Sequence, residues 1–368
     1  MMISMDMSEP KSQLSEHPTE GKPKRGVVRV RTVIFGTLLV GILSILAFSV
    51  LLAFAPDASV SRVVRRVLPF PVALADGAFI SYGELDKDRE SIRRFYETQA
   101  DDLAQKGFRV DFSTPDGQKR LLIREKDILN KLIEDRVILA LAYEKQIRFS
   151  ESDVAAKVDA AIQEQGGSRE TLESRLAHFY GWNLAEFQEK IVVPALYREA
   201  VEAMFMKDRD TTSARSAIEK AVAELNKGTS FESVALSFSD GESKKDGGDL
   251  GWTDIDTLIP ELQEAARTQD IGVVGPIRES SLGFHVLVVS DRKTESGKEF
   301  ARLRQIFTRK PSFEEWLAEK KREAIVCILP RRYLWDKESA SVVFRDEALR
   351  SFEKSVLRQS EGDPSLIF

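Results

Sequence analysis

From Thr32 to Ala55 the chain runs for 24 residues without an ionisable side chain (TVIFGTLLVGILSILAFSVLLAFA). At 1.5 Å per residue, a helix of that length reaches about 36 Å, enough to cross a ~30 Å hydrocarbon layer with some tilt. The segment reads as a transmembrane helix at 32–55. Lys11, Lys22, Lys24, Arg25, Arg29 and Arg31 precede it, whereas only Arg62, Arg65 and Arg66 follow closely. That imbalance leaves residues 1–31 as a cytoplasmic tail and puts the bulk of the chain outside the cell membrane, single-pass. A secretory signal cut after Ala53 or Ala55 is the alternative, although the apolar run exceeds the roughly 7 to 15 residues of such signals. Residues 56–79, with Pro69 and Pro71, read as a linker.

Composition narrows the chemistry. With 368 residues, 42% hydrophobic and 31% charged, the chain can bury more than one core. Its single cysteine, Cys327, cannot form an intramolecular disulfide, and three histidines make no Cys/His zinc site of the usual kind, so no metal is expected. A net charge of -5 with both signs interspersed offers no field for nucleic acid.

Beyond the linker, Leu122, Ile128, Leu129, Leu132, Ile133, Val137, Leu141 and Ala142 recur along one helical stripe, with Arg124, Glu125, Lys131, Glu134 and Lys145 off it. Ser150 with Asp153 opens a further helix, which Gly166 and Gly167 stop; Ser168 opens another, and Asn183 with Glu186 a fourth, bent by Pro194. Residues 80–209 therefore read as an all-helical domain. Its Leu129-x-x-Leu132-Ile133-x-Asp135-Arg136 run, its Ile147-x-Phe149-Ser150 turn and its Gly181-Trp182-Asn183 to Phe187 segment resemble the N-terminal chaperone domain of SurA-, PrsA- and PpiD-like extracytoplasmic foldases.

Residues 210–309 differ in kind. Two short helices, Ser213–Lys227 and Phe231–Phe238, precede the loop Asp240–Trp252 with Gly247, Gly248 and Gly251. The loop lacks a G-x-G-x-x-G or Gly-Lys-Ser/Thr pattern, so it is no phosphate cradle, and no cofactor is implied. A third helix over Leu258–Thr268 and a β-branched strand over Phe284–Ser290 complete an α+β unit. The string Phe238-Ser239-Asp240, Gly247-Gly248-Asp249-Leu250-Gly251-Trp252, Pro260-x-Leu262, Gly275-Pro276 and Gly283-Phe284-His285-Val286 is very similar to the parvulin (PpiC-like) family of peptidyl-prolyl cis-trans isomerases.

The resemblance implies rotamase activity on Xaa-Pro bonds of unfolded or nascent extracytoplasmic polypeptides. It assigns His285 to the active site and Leu250, Leu258, Leu262, Phe284 and Trp252 to the binding of substrate. The pattern breaks in three places. The first family histidine, on a strand ahead of the first helix, is missing; Arg302–Phe307 resembles that strand displaced to the other end, with Gln305 where the histidine would stand. Gly241 replaces a Cys or Asp, and Leu282 a Ser found in some members. A catalytically weak or inactive parvulin-fold chaperone is the alternative function. In the C-terminal extension, 310–368, the pattern gives a helix over Phe313–Arg322, a strand burying Cys327, a hairpin through Trp335 and a last helix over Asp346–Val356.

Overall fold

The computed structural model describes residues 70–100, 111–164 and 166–359, together with Leu43, Ala47 and Val50, which are helical. The tail and the Thr32–Ala55 span otherwise lie outside the described residues. Among those described, no helix is long and apolar enough to cross a membrane. The fold mixes helix and sheet, in the order β1 (Pro71–Ala75), β2 (Ala78–Ser81), α1 (Tyr82–Thr98), α2 (Pro115–Glu144), α3 (Glu151–Glu164), α4 (Arg169–Phe179), α5 (Leu184–Phe187) and α6 (Val193–Asp208). Then come α7 (Thr212–Asn226), α8 (Phe231–Phe238), β3 (Asp249–Asp254), α9 (Pro260–Thr268), β4 (Arg278–Glu279), β5 (Gly283–Glu295) and β6 (Lys298–Arg309). The chain ends with α10 (Phe313–Glu323), β7 (Val326–Ile328), β8 (Tyr333–Asp336), β9 (Ser341–Phe344) and α11 (Glu347–Gln359).

Local chemistry sets the helix ends. Asn183 and Glu186 form a reciprocal capping box, Ser168 accepts from the Thr171 amide, and Asp153 accepts from the Ser150 amide at 2.7 Å. Pro194 lacks an N–H, and the helix takes up the missing bond as a π turn over Gln188–Val192 immediately before α6. The Trp182 indole donates to Ser91 Oγ at 2.6 Å and fixes the α4–α5 turn on α1.

The long helix α2 carries the helical core. Ile123, Leu129, Ile133, Val137 and Ile138 are all but fully buried along it. Val137 and Ile138 share a cluster with Tyr197, Val201 and Phe205 of α6 and with Phe313 and Leu317 of α10, so the chain returns to this core after the sheet module. Exit and return sit side by side: Arg209, which caps α6, donates to the Pro311 carbonyl at 3.2 Å. The sheet module is thus held at both ends.

Three expectations need correcting. Pro71–Phe79, read as linker, and Ile80 and Ser81, read as the start of the all-helical domain, form the β1–β2 hairpin, extended by β7 into the order β2-β1-β7. Arg124 and Glu125, placed off the apolar stripe, are buried: Arg124 donates to the Tyr96 hydroxyl at 2.6 Å, and Glu125 accepts from Arg89 at 2.7 Å and from the Tyr333 hydroxyl at 2.9 Å. The face they occupy is polar in sequence because its partners are polar. Cys327 is exposed, since it pairs with Leu74, itself 38% exposed, on the outward face of an edge strand.

Besides the Glu125–Tyr333 bond, the β8–β9 hairpin is moored to α2 through Asn130. Asn130 donates to the Val342 carbonyl at 3.3 Å and accepts from its amide at 2.6 Å, doing for the edge of β9 what a neighbouring strand would do. Asn130→Ala is expected to lower unfolding free energy by about 1 kcal/mol, read as a shift of the urea midpoint with unchanged slope.

Candidate active site

The four-stranded sheet has the order β3-β6-β5-β4. No strand lies between α6, which ends at Asp208, and α7, which begins at Thr212; the strand that follows β5 fills the place at the centre of the sheet instead. It pairs along its length with β5, and its other edge takes β3. The displaced strand expected over Arg302–Phe307 is therefore a central one.

Register decides what the two sheet faces hold. His285 stands opposite Phe307, Leu287 opposite Gln305 and Val289 opposite Leu303 on one face. Phe284, Val286, Val288 and Ile306 point the other way and form a core with Ala214, Ile218 and Ala221 of α7 and Phe231, Val234 and Ala235 of α8. On the His285 face, α9 supplies Leu262 and Ala265, which pack on Leu287, with Leu258 and Ile259 beside them.

His285 and Gln305 meet. Gln305 Nε2 lies 2.7 Å from His285 Nδ1, and Ser280 Oγ lies 2.7 Å from His285 Nε2. Ser280 Oγ also accepts from the amides of Leu282 at 3.1 Å and Gly283 at 3.3 Å. The Gln305 side-chain amide and the Ser280 hydroxyl thus each engage one ring nitrogen. The ring is 3% exposed and stacks on Phe307 with centroids 4.8 Å apart. Burial pushes its pKa down to about 4; Lys310 adds to the effect and Glu261 opposes it. Near neutral pH the imidazole is thus an uncharged fixture with both nitrogens engaged, not a proton carrier.

Glycines make this arrangement possible. A Cβ on Gly283 would come within 2.2 Å of the Thr308 carbonyl oxygen and 2.5 Å of the Phe307 ring, so only glycine lets that ring lie over the turn. Gly248, at φ +83°, accepts from the Gln305 amide at 2.8 Å, and a Cβ there would stand 2.5 Å from the Gln305 carbonyl oxygen. Close backbone approach at Gly248 brings β3 to the strand that carries Gln305.

The remaining expected residues divide. Leu262 is buried and Leu258 half-buried on the His285 face, and Leu250 is 37% exposed at a bulge where Gly251, not Leu250, pairs with Leu303. Phe284 does not line this face: it is wholly buried among α7 and α8, because adjacent residues of a strand point to opposite sides. Trp252 also lies on the far side, opposite Arg302 and under the Lys293 ammonium at 5.0 Å. Gly241 keeps ordinary extended backbone and leaves room for a side chain 3.7 Å from Phe307 Cβ, so nothing steric excludes one. Sequence reasoning missed Ser280, Phe307 and the Lys310–Glu279 pair at 2.7 Å. Phe307 was within reach, since it follows Gln305 at the strand period of two.

On this face Leu258 and Leu262 pack around Leu287, next along the strand face from the buried, hydrogen-bonded His285. Among the described residues no group of His, Cys, Asp and Glu could hold a metal ion. Comparison with known proteins agrees with the module's character. Residues 198–291 match the family model described as rotamase, PPIC-type PPIASE domain. The match ends inside β5, so β6 and Gln305 lie beyond it. The chain is 37% identical over 101 residues to chaperone SurA of Idiomarina loihiensis, covering 25% of this chain and 23% of that one. It is 32% identical over 139 residues to chaperone SurA of Alcanivorax borkumensis, covering 35% and 32%. The chain thus spans about a quarter to a third of the length of these curated relatives. A crystal structure of peptidylprolyl isomerase (PrsA) from Bacillus anthracis aligns at 19% identity over 64% of this chain and 98% of that one, with a TM-score of 0.19. The sheet module is parvulin-type, in the class of peptidyl-prolyl isomerases.

Proposed function

We propose that the chain is a membrane-anchored, extracytoplasmic folding factor whose sheet module, residues 210–309, binds and isomerises Xaa-Pro bonds in unfolded polypeptides. The helical segment 80–209, joined by the returning residues 310–359, holds the client. Anchorage rests on the uncharged run Thr32–Ala55 and the basic residues before it. The observation that carries the reading is the joining of His285, Gln305 and Phe307 on the sheet face where Gln305 and Phe307 are half-buried and Leu250 and Leu282 exposed.

Rotation about a prolyl bond loses amide resonance, against a barrier near ~20 kcal/mol, and needs no covalent step. An apolar pocket disfavours the polar planar amide relative to the twisted one, and fixed dipoles at its edge orient the bond without reorganising. His285, held neutral by burial and doubly hydrogen-bonded, supplies such a dipole; Leu258 and Leu262 supply the apolar wall.

In a protease-coupled assay on a proline peptide, the wild-type chain is expected to accelerate isomerisation. Leu250→Ala and His285→Ala are each expected to cut kcat/KM about tenfold, or ~1.4 kcal/mol of transition-state stabilisation. Turnover unchanged by both would remove the site assignment. A second reading, a holdase with the parvulin fold but without turnover, is favoured by Gln305 in place of a histidine and by the bare Gly241. It predicts peptide binding with no acceleration.

A further inference from the structure

Within the helical part, three elements bring apolar faces together without filling the space between them. Val158 of α3, Leu172 of α4 and Phe187 of α5 line a cavity of about 250 Å³ together with Ile191 and Val192, the last two residues of the π turn, and Ala195 of α6. Val158 and Val192 are buried, Leu172 and Phe187 half-buried, and Ile191 is 38% exposed, so the cavity has a closed apolar end and an open one. The two hydroxyls on its wall, Ser168 and Thr171, already hydrogen-bond each other at 2.9 Å in the cap of α4. Protein interiors are close-packed, and an apolar hollow with no spare polar group to hold water gains by taking up an apolar guest. At the ~30 Å³ that a water-sized group fills, this one has room for about eight methylenes.

Charge says more about the occupant. Lys157 and Arg175 are the charged residues of the wall, and among the described residues no carboxylate lines it. The Lys157 ammonium is matched by both oxygens of Glu199, at 2.9 and 2.8 Å. The exposed Arg175 guanidinium, by contrast, makes no hydrogen bond or ion pair among the described residues. A guanidinium pairs a carboxylate or phosphate through two parallel N–H donors. An unmatched guanidinium beside an apolar hollow therefore suits a guest with an apolar body and an anionic end, and gives nothing to a neutral guest with the same body.

We propose that this cavity binds an anionic amphiphile, with its alkyl chain between α3, α4 and the π turn and its carboxylate or phosphate on Arg175. Two sources share that chemistry: a free fatty carboxylate, and one chain and the headgroup of an anionic bilayer lipid. Occupancy would close the gap between the α3–α4 pair and α6, the helix that leads into the sheet module. The site lies outside the sheet module and does not depend on the rotamase reading.

The test uses the full-length chain in phosphatidylcholine nanodiscs and decanoate bearing a diazirine on its chain, with adducts located by peptide mass spectrometry after irradiation. Adducts are expected to concentrate on residues 157–195. Unlabelled decanoate should halve them at a concentration about tenfold below that of decanol, the worth of one charge-assisted pair. Arg175→Gln should bring that ratio below about threefold, and comparing the two proteins in one bilayer cancels the unequal partition of acid and alcohol. Ala195→Phe, which fills the cavity from α6, should cut labelling about fivefold or more. Ile191→Glu, which puts a carboxylate at the mouth, should do the same and serves where Ala195→Phe fails to fold. Competition by phosphatidylglycerol added to the nanodiscs would identify a lipid as the source, and its failure a free fatty carboxylate; both outcomes support the site. Labelling spread over other helices, decanol competing as well as decanoate, or labelling that survives both cavity variants would each overturn it. Labelling as expected on a chain without turnover would reject the rotamase reading alone.

Discussion

Gly248→Val is expected to unfold the sheet module at temperatures where the wild type is intact. The residue sits at φ +83°, a conformation in which a β-branched side chain is strained, and its Cβ would lie 2.5 Å from the Gln305 carbonyl oxygen and 3.2 Å from both the Ala235 Cβ and the Phe231 ring. None of these can move cheaply: the carbonyl belongs to the central strand, and Ala235 and Phe231 belong to the core under α8. Backbone strain and overpacking together cost about 3 to 5 kcal/mol, a large share of a small domain's stability. Gly251→Ala is the control. It too has positive φ, +66°, but nothing lies within 4 Å of its Cβ, so its cost should be only the strain of about 1 kcal/mol. Urea denaturation followed by tryptophan fluorescence separates the two. Equal midpoints for Gly248→Val and Gly251→Ala would mean that β3 does not approach β6 as closely as the structure has it.

That contrast also explains what the sequence could and could not convey. Caps were legible because they are local: Asn183 with Glu186, Ser168 and the Ser150–Asp153 pair lie within four residues of the amides they satisfy. The meeting of His285 with Gln305 was legible only through the family resemblance, in which Arg302–Phe307 stands in for the missing first strand with Gln305 at the histidine's place. Sidedness was not. Phe284 faces away from His285 by strand alternation alone, whereas whether Trp252 shares a face with His285 depends on strand register and on the bulge at Leu250, which shifts the alternation by one residue. Burial of Arg124 and Glu125 depends on Tyr96 and on Tyr333, the latter 208 residues away from Glu125. No window of local pattern contains that partner, so a charged pair that belongs to the core reads as solvent-facing.

The hydrogen bonds that fix His285 also make the module sensitive to acid. The folded ring has its pKa lowered from 6.5 to about 4, chiefly because burial disfavours the charged form. Above about pH 6.5 both folded and unfolded chains hold the ring neutral, and the group contributes no pH dependence. Between 6.5 and 4 the unfolded chain binds a proton that the folded one refuses, so stability falls as pH falls and levels off below 4. From about pH 7.5 to pH 5.0 the loss from this residue is about 2 kcal/mol. His285→Gln keeps a polar side chain beside Gln305 and Ser280 but cannot titrate. The difference between wild-type and His285→Gln unfolding free energies is therefore expected to shift by that amount over this range, with every other titrating group cancelling. Turnover at constant fold should meanwhile show no titration near 6.5, because the ring that does the positioning is already uncharged. Parallel stability profiles for the two proteins, or an imidazole titrating near 6.5 by NMR, would mean that the ring is solvated in the folded chain. The rigid floor inferred for the proline site would then be lost with it, since a solvated imidazole exchanges Gln305 and Ser280 for water.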